Sequence, residues 1–221
     1  MASPLRVGYL LAMMEHVKRL LDNNRRWVAA MTEADPHFFA KRVDKQEPHF
    51  LFIGCSDSRV PAETLTGAQP GEMFVHRNIA NQVSLADLNV LSVLEFAIEV
   101  LHVEHVIVCG HYECGGVKAA MGTEPLGLVD NWLGNVRHVM RLHRARLGAI
   151  DDPQARFRRL VDLNVIEQVY NLSRAPVVQR AWQRAPRPTL HGLVYDLHDG
   201  LLHDLALGID GNEKAAALTG G

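Results

Sequence analysis

Residues 105–116 read HVIVCGHYECGG, and residues 50–59 read FLFIGCSDSR. Each is an apolar run that ends in glycine and is followed at once by a side chain with a soft donor atom: Cys55 after Gly54, and His111 after Gly110 with Cys114 three positions on. Three chemistries compete for such residues: a metal site, a redox thiol pair, or core residues beside a turn. The redox reading needs paired thiols, and the chain has no C-x-x-C; Cys109 and Cys114 are separated by a histidine. A zinc deaminase would use His111-Tyr112-Glu113 as H-x-E, but it also needs a downstream P-C-x-x-C, and no cysteine follows Cys114. Cys109 lies inside its apolar run and reads as a small buried hydrophobe outside the site. Two thiolates and one imidazole suit Zn²⁺, and three protein ligands leave a fourth position open, the mark of a catalytic rather than a structural zinc. H-x-x-C alone is a weak signal; joined to a second strand-ending cysteine it is stronger.

Asp57 and Arg59 stand just beyond the first thiol. In a loop, charges at i and i+2 can meet, and an arginine gripping a carboxylate through two hydrogen bonds keeps it ionised and fixed in direction. The structural alternative is a loop entering a helix, with a Ser (such as Ser58) or Asp capping and Pro61 in the first turn.

These residues need elements to bring them together. Val17, Leu20, Leu21, Trp27, Val28 and Met31 recur at near-helical spacing, which predicts an amphipathic N-terminal helix up to Asp35-Pro36. Strands are expected at 49–53, 72–75, 106–109 and 190–196, and helices at 87–101, 131–147 and 157–170. A turn at His198-Asp199-Gly200 leads into an antiparallel edge at 201–207. Strands alternating with helices predict an α/β fold: four parallel strands plus an antiparallel edge strand, flanked by helices, with an N-terminal helical arm. The expected organisation is one domain, with the arm at 1–45, an α/β zinc-binding core at 46–210 and a flexible tail at 211–221. In such sheets ligands bind beyond the carboxyl ends of the strands. Cys55 and His111 would meet there if their strands are neighbours.

The bulk numbers narrow the classes. A chain of 221 residues with 48% hydrophobic and 22% charged residues is ordinary for a globular domain. The net charge of −2 comes with no basic block, so nucleic acid is not an expected partner. No apolar stretch is long enough to span a membrane. The apolar core of the first helix, residues 7–14, is too short and too soon followed by charge for an export signal. Three cysteines do not make a disulfide framework, so reduced thiols in the cytoplasm are expected.

Cys55-Ser-Asp57-Ser-Arg59-Val-Pro, followed by Gly110-His111-x-x-Cys114-Gly-Gly, resembles the signature of the β-class carbonic anhydrases. PGEMFVHRNIANQV (70–83), NVIEQVYNL (164–172) and LHGLVYDLHDG (190–200) look like the family's bacterial members, so the resemblance covers about residues 15–205. It implies zinc-dependent, reversible hydration of CO₂ to bicarbonate and a proton. It further implies one zinc per subunit on Cys55, His111 and Cys114, Asp57 and Arg59 as catalytic dyad, and a homodimer or homotetramer. In a closed, inactive state of such enzymes Asp57 would itself become the fourth ligand. Gln46 and Gly115 match substrate-binding positions. Some members hold bicarbonate in a second, non-catalytic pocket built from tryptophan, arginine and tyrosine. Arg77 and Tyr195 match two of these, but Phe52 replaces the tryptophan and lacks its N–H donor, so weak regulation is expected. Two thiolates donate more charge than imidazoles, so hydration is expected to rise with pH through the mildly alkaline range.

Overall fold

The computed structural model describes residues 4–218. The chain forms two compact units, residues 1–46 and 47–221.

In the first unit, helix α1 runs from Pro4 to Ala34 and a short 3₁₀ turn follows at Ala40–Arg42. Asp35 ends the helix: its carboxylate accepts from the His37 backbone N–H (3.0 Å) and from Lys41 Nζ (2.7 Å). Trp27, Phe38 and Phe39 form an edge-to-face cluster with ring centres 5.1–6.0 Å apart, a geometry favoured by the ring quadrupoles. The predicted helix is present, but Val17, Leu20 and Leu21 on it are exposed.

The second unit is built on one five-stranded sheet. Its elements in order are β1 (Phe50–Cys55), α2 (Ala62–Thr66), β2 (Met73–Asn78), α3 (Leu88–Glu95) continued by a π turn (Phe96–Val100), β3 (His105–His111), α4 (Gly115–Met121), α5 (Leu128–Leu142), α6 (Arg144–Gly148), α7 (Pro153–Arg174), α8 (Pro176–Ala181), β4 (Thr189–Tyr195), β5 (Leu202–Asp204) and α9 (Asn212–Ala217). The strand order is β2-β1-β3-β4-β5, with the first four parallel and β5 antiparallel on β4, which is the expected fold class.

Side-chain alternation along the strands divides the core. Leu51, Ile53, Val106, Val108, Leu190 and Val194 point to one face and are fully buried with residues of α3, α4, α5 and α7. Phe52, Ile107 and Cys109 point to the other, with Phe50, Leu193 and Tyr195. Helix α7 starts where Asp152 caps the Ala155 N–H (2.7 Å) and Pro153 takes the first turn. It lies so close over β3 that a Cβ on Gly110 would stand 2.6 Å from Val165 Cγ2. Leu133, Val136 and Val139 form the buried stripe of α5. Complete burial of Leu133 contributes about 2–3 kcal/mol.

The structure departs from the sequence expectations in detail. The helix expected at 131–147 is two helices broken at His143. β1 and β2 run on to Cys55 and Asn78, while the edge strand shrinks to three residues. Pro61, not Ser58, is the N-cap of α2. The expected flexible tail carries helix α9, whose Ala215 is buried and whose Asn212 side chain bonds Gln179; residues 219–221 lie outside the described part. Helices of five to seven residues, such as α2, α4 and α9, are too short to print a helical period on the sequence.

Candidate metal centre

β1 and β3 are direct neighbours, paired in register from Phe50–His105 to Gly54–Cys109. Cys55 and His111 therefore leave the sheet at the same carboxyl end, and Cys114 returns to them as the N-cap of α4. The donor atoms of Cys55, His111 and Cys114 lie within 4.8 Å of one another, and all three residues are buried. The two sulfurs are 3.9 Å apart. His111 Nδ1 donates to the Tyr112 carbonyl (2.9 Å), which assigns the proton to Nδ1 and leaves the Nε2 lone pair free. That Nε2 is fully buried and has no hydrogen-bond partner. A buried polar atom without a partner is costly and calls for an explanation. An imidazole lone pair facing two thiols is a donor set that fits Zn²⁺.

One of the two sulfurs is prepared for negative charge. The Cys114 thiol beside it, with His111 and the backbone N–H groups of Asp57 and Ala80, holds the Cys55 thiol well below its ordinary value against the opposing effect of burial. Cys114 is pushed the other way, chiefly because its proton is held by Cys55 and because it is buried, while the Gly116 and Val117 N–H groups favour its thiolate. A cation between the two removes the need to share one proton. Cys109, one strand position from the cluster, is pushed up to about 12 by burial and stays a thiol.

Asp57 and Arg59 meet as the sequence suggests. Asp57 Oδ1 accepts from the Arg59 backbone N–H (2.9 Å) and Nε (3.0 Å), and Oδ2 accepts from Nη2 (2.8 Å). The guanidinium lowers the Asp57 pKa to about 2. Asp57 Oδ2 lies 3.8 Å from the free Nε2 of His111, so an ionised, oriented carboxylate borders the centre. Arg77 braces this loop by donating to the carbonyls of Cys55 (2.8 Å) and Asp57 (2.6 Å). Gly115 is exposed, and a Cβ there would meet nothing within 4 Å. Phe52 and Tyr195 share the second sheet face, whereas the Arg77 head group is committed to the Asp57 loop. Gln46 is an exposed residue that ends the first unit; the second unit does not include it.

Two features around the centre are not foreseen from the sequence. One is a turn at Ile79–Asn81 in which Ala80 (φ 61°) and Asn81 (φ 49°) both adopt the left-handed conformation, at a cost of roughly 1–3 kcal/mol each. The other is a buried amide network of Gln82, Asn164 and Gln168 beneath that turn. Asn164 and Gln168 lie four apart on the apolar face of α7, and polar residues at such positions are the signal that finds them.

A sequence model of the family described as carbonic anhydrase matches residues 50–202. A carbonic anhydrase of Emericella nidulans is 49% identical over 193 residues, covering 87% of this chain and 85% of that protein. One from Pseudomonas aeruginosa is 35% identical, covering 86% and 87%. Among solved structures, a β-carbonic anhydrase of Coccomyxa, in complex with acetazolamide, superposes with a TM-score of 0.86 at 39% identity, covering 90% of each chain. One of two tetrameric β-carbonic anhydrases from Sordaria macrospora gives 0.84 at 37% identity, covering 88% of this chain and 99% of that one. Three buried soft donors at one sheet end, on this strand order and with these relatives, make the chain a member of the β-class carbonic anhydrase family.

Proposed function

We propose that the protein hydrates CO₂ reversibly to bicarbonate and a proton, with one zinc held by Cys55, His111 and Cys114. The observation that carries this reading is the buried, partnerless Nε2 of His111 facing two sulfurs, with an ionised carboxylate oxygen 3.8 Å away. When bound, zinc supplies a Lewis acid that makes a water at its open position more acidic.

The chain's own residues do the rest. Asp57 Oδ2 accepts a hydrogen bond from the attacking water and so turns an oxygen lone pair toward CO₂. Arg59 has two tasks: it keeps Asp57 ionised, and by gripping both carboxylate oxygens it restrains Asp57 from closing on the metal. The Nδ1–H bond of His111 to Tyr112 fixes the ring so that Nε2 faces the centre. Open space at Gly115 gives substrate room beside Cys114, and Gln46 is assigned to bicarbonate. Phe52, Arg77 and Tyr195 form at most a weak second bicarbonate pocket, since Phe52 has no donor and Arg77 is engaged.

The working protein is proposed to be a homo-oligomer. The exposed Val17, Leu20 and Leu21 of α1 support this, as does the tetrameric state of the Sordaria enzymes. No described helix is long and apolar enough to cross a membrane. The proposed compartment is the cytoplasm, on the ground of three free cysteines. Stopped-flow CO₂ hydration on zinc-quantified protein tests the function. Activity proportional to zinc and rising with mildly alkaline pH is expected; a zinc-loaded protein inert toward CO₂ but active on CS₂ or COS would replace the substrate.

A further inference from the structure

Two residues, Tyr112 and Glu113, separate His111 from Cys114, and one face of α7 holds them both. Gln154, Arg158 and Asp162 stand four apart along that helix and so share a face. Asp162 Oδ1 accepts from the Tyr112 hydroxyl at 2.9 Å. The Arg158 guanidinium carbon lies 3.5 Å from the centre of the Tyr112 ring. Gln154 Nε2 donates to Glu113 Oε1 at 2.5 Å. The helix that carries these groups is itself fixed, since its Leu160, Leu163 and Val165 are fully buried.

The main chain of the turn is what aims the donor atoms. The Tyr112 N–H donates to the Tyr195 carbonyl on β4 (3.0 Å), and the Tyr112 carbonyl turns back to accept from His111 Nδ1 (2.9 Å). Glu113 follows in the left-handed conformation, at φ 60°. A residue with a side chain persists there only where its surroundings over-determine it. The Glu113 carbonyl accepts from Arg59 Nη2 at 3.2 Å, and its carboxylate is the one that Gln154 holds. Without such anchors Glu113 would relax toward negative φ, and that rotation swings Cys114 relative to His111. The anchor on Tyr112 is shielded from water: the tyrosine is buried and the Asp162 side chain is 16% exposed.

We propose that Asp162 and Gln154 are positioning residues of the metal centre: from one face of α7 they hold Tyr112 and Glu113 in the turn that keeps His111 Nε2 and Cys114 Sγ aimed at one point. This rests on the zinc reading of the centre. Both side chains bond to the residues between the ligands rather than to the ligands, and outer partners of metal ligands act by orienting them.

The test is zinc affinity, read by chelator competition on the full-length protein. Asp162→Leu and Tyr112→Phe remove the same hydrogen bond, and each should weaken zinc binding about 10-fold. The double variant should lose no more than either single one, because the two side chains act as a unit. Asp162→Asn keeps an acceptor for the hydroxyl and should bind zinc like the wild type. Gln154→Ala, at an exposed position, should cost roughly 3-fold, the worth of one modest hydrogen bond. Leu133→Ala on α5 is the structural control: it should lower thermal stability and leave zinc affinity in place. Wild-type affinity in Asp162→Leu and Tyr112→Phe, or a loss no greater than in Leu133→Ala, overturns the proposal and leaves the zinc reading intact. Additive losses in the double variant, or a loss in Asp162→Asn equal to that in Asp162→Leu, also overturn it. Unchanged affinity in Gln154→Ala overturns the part given to Gln154 and, should both buried variants fail to fold, the proposal as a whole. A wild-type protein that takes up no zinc overturns the zinc reading and the proposal with it.

Discussion

Two carboxylate–arginine pairs flank the carboxyl end of the sheet, and they serve different ends. Asp57 is gripped by Arg59 and Asp196 by Arg158, whose Nη2 donates to Asp196 Oδ2 at 2.7 Å. In each case the arginine lowers the carboxylate's pKa. The surroundings differ. Asp196 also accepts from the His198 backbone and ring, and the Arg158 guanidinium carbon lies 3.5 Å from the centre of the Tyr112 ring, itself bonded to Asp162 through its hydroxyl. Every strong group there has its partner. Asp57 instead borders an imidazole nitrogen that has none, and Arg59 is 55% exposed where Arg158 is 34%. A depressed carboxylate is common to both pairs; Asp57 is the one that stands beside a buried ring nitrogen with no hydrogen-bond partner.

Removing one of the three donors of the centre should have the largest effect. Cys114→Ser or His111→Ala should abolish metal retention and CO₂ hydration, and lower thermal stability, because metal binding is coupled to folding. Elemental analysis beside a melting curve checks both; a zinc-replete, active Cys114→Ser protein would break the comparison.

Next in size is Asp57→Asn. It should keep zinc and the fold yet lose roughly 100-fold or more in hydration rate. Wild-type turnover in this variant would move the catalytic role away from Asp57.

The matching change at the other pair, Asp196→Asn, should do the reverse, costing stability and leaving hydration per zinc near wild type. Its pH dependence has a definite sign. The folded pKa of Asp196 lies below the unfolded value of about 3.9. Its contribution to stability is therefore complete above that unfolded value and is lost as pH falls through the folded one. Urea unfolding should show a gap between wild type and Asp196→Asn at neutral pH that narrows in strong acid. A gap that widens there would contradict the assignment.

The smallest effect is expected from Phe52→Trp, which adds a donor on the second sheet face. It should tighten bicarbonate inhibition modestly without changing uninhibited turnover. No change in inhibition would separate Phe52 from any bicarbonate pocket.

The centre was legible in the sequence because its residues advertise themselves. Soft donors directly after apolar strands, each preceded by glycine, need only two adjacent parallel strands to converge. Asp57 and Arg59 are local in sequence, so their contact follows from loop geometry. The strand and long-helix pattern was legible for the same reason: Leu51, Ile53, Val106 and Val108 belong to short apolar runs bounded by turns. What stayed hidden is non-local or short. Nothing in residues 79–81 shows that Ala80 takes a left-handed conformation, since that follows from amides arriving from Asn164, more than eighty positions away. The Trp132 indole likewise meets its partner, the Ile79 carbonyl, only once α5 is packed beside the turn at 79–81. Arg158 and Asp196 meet only once α7 is packed beside β4.

The account stands on one coordination set, and X-ray absorption at the zinc edge measures it directly. Protein loaded with one equivalent of zinc should show two sulfurs around the metal with imidazole nitrogen beside them, and the sulfur contribution should be unchanged in Cys109→Ser. Coordination without sulfur, or a sulfur contribution that falls in Cys109→Ser, would contradict it.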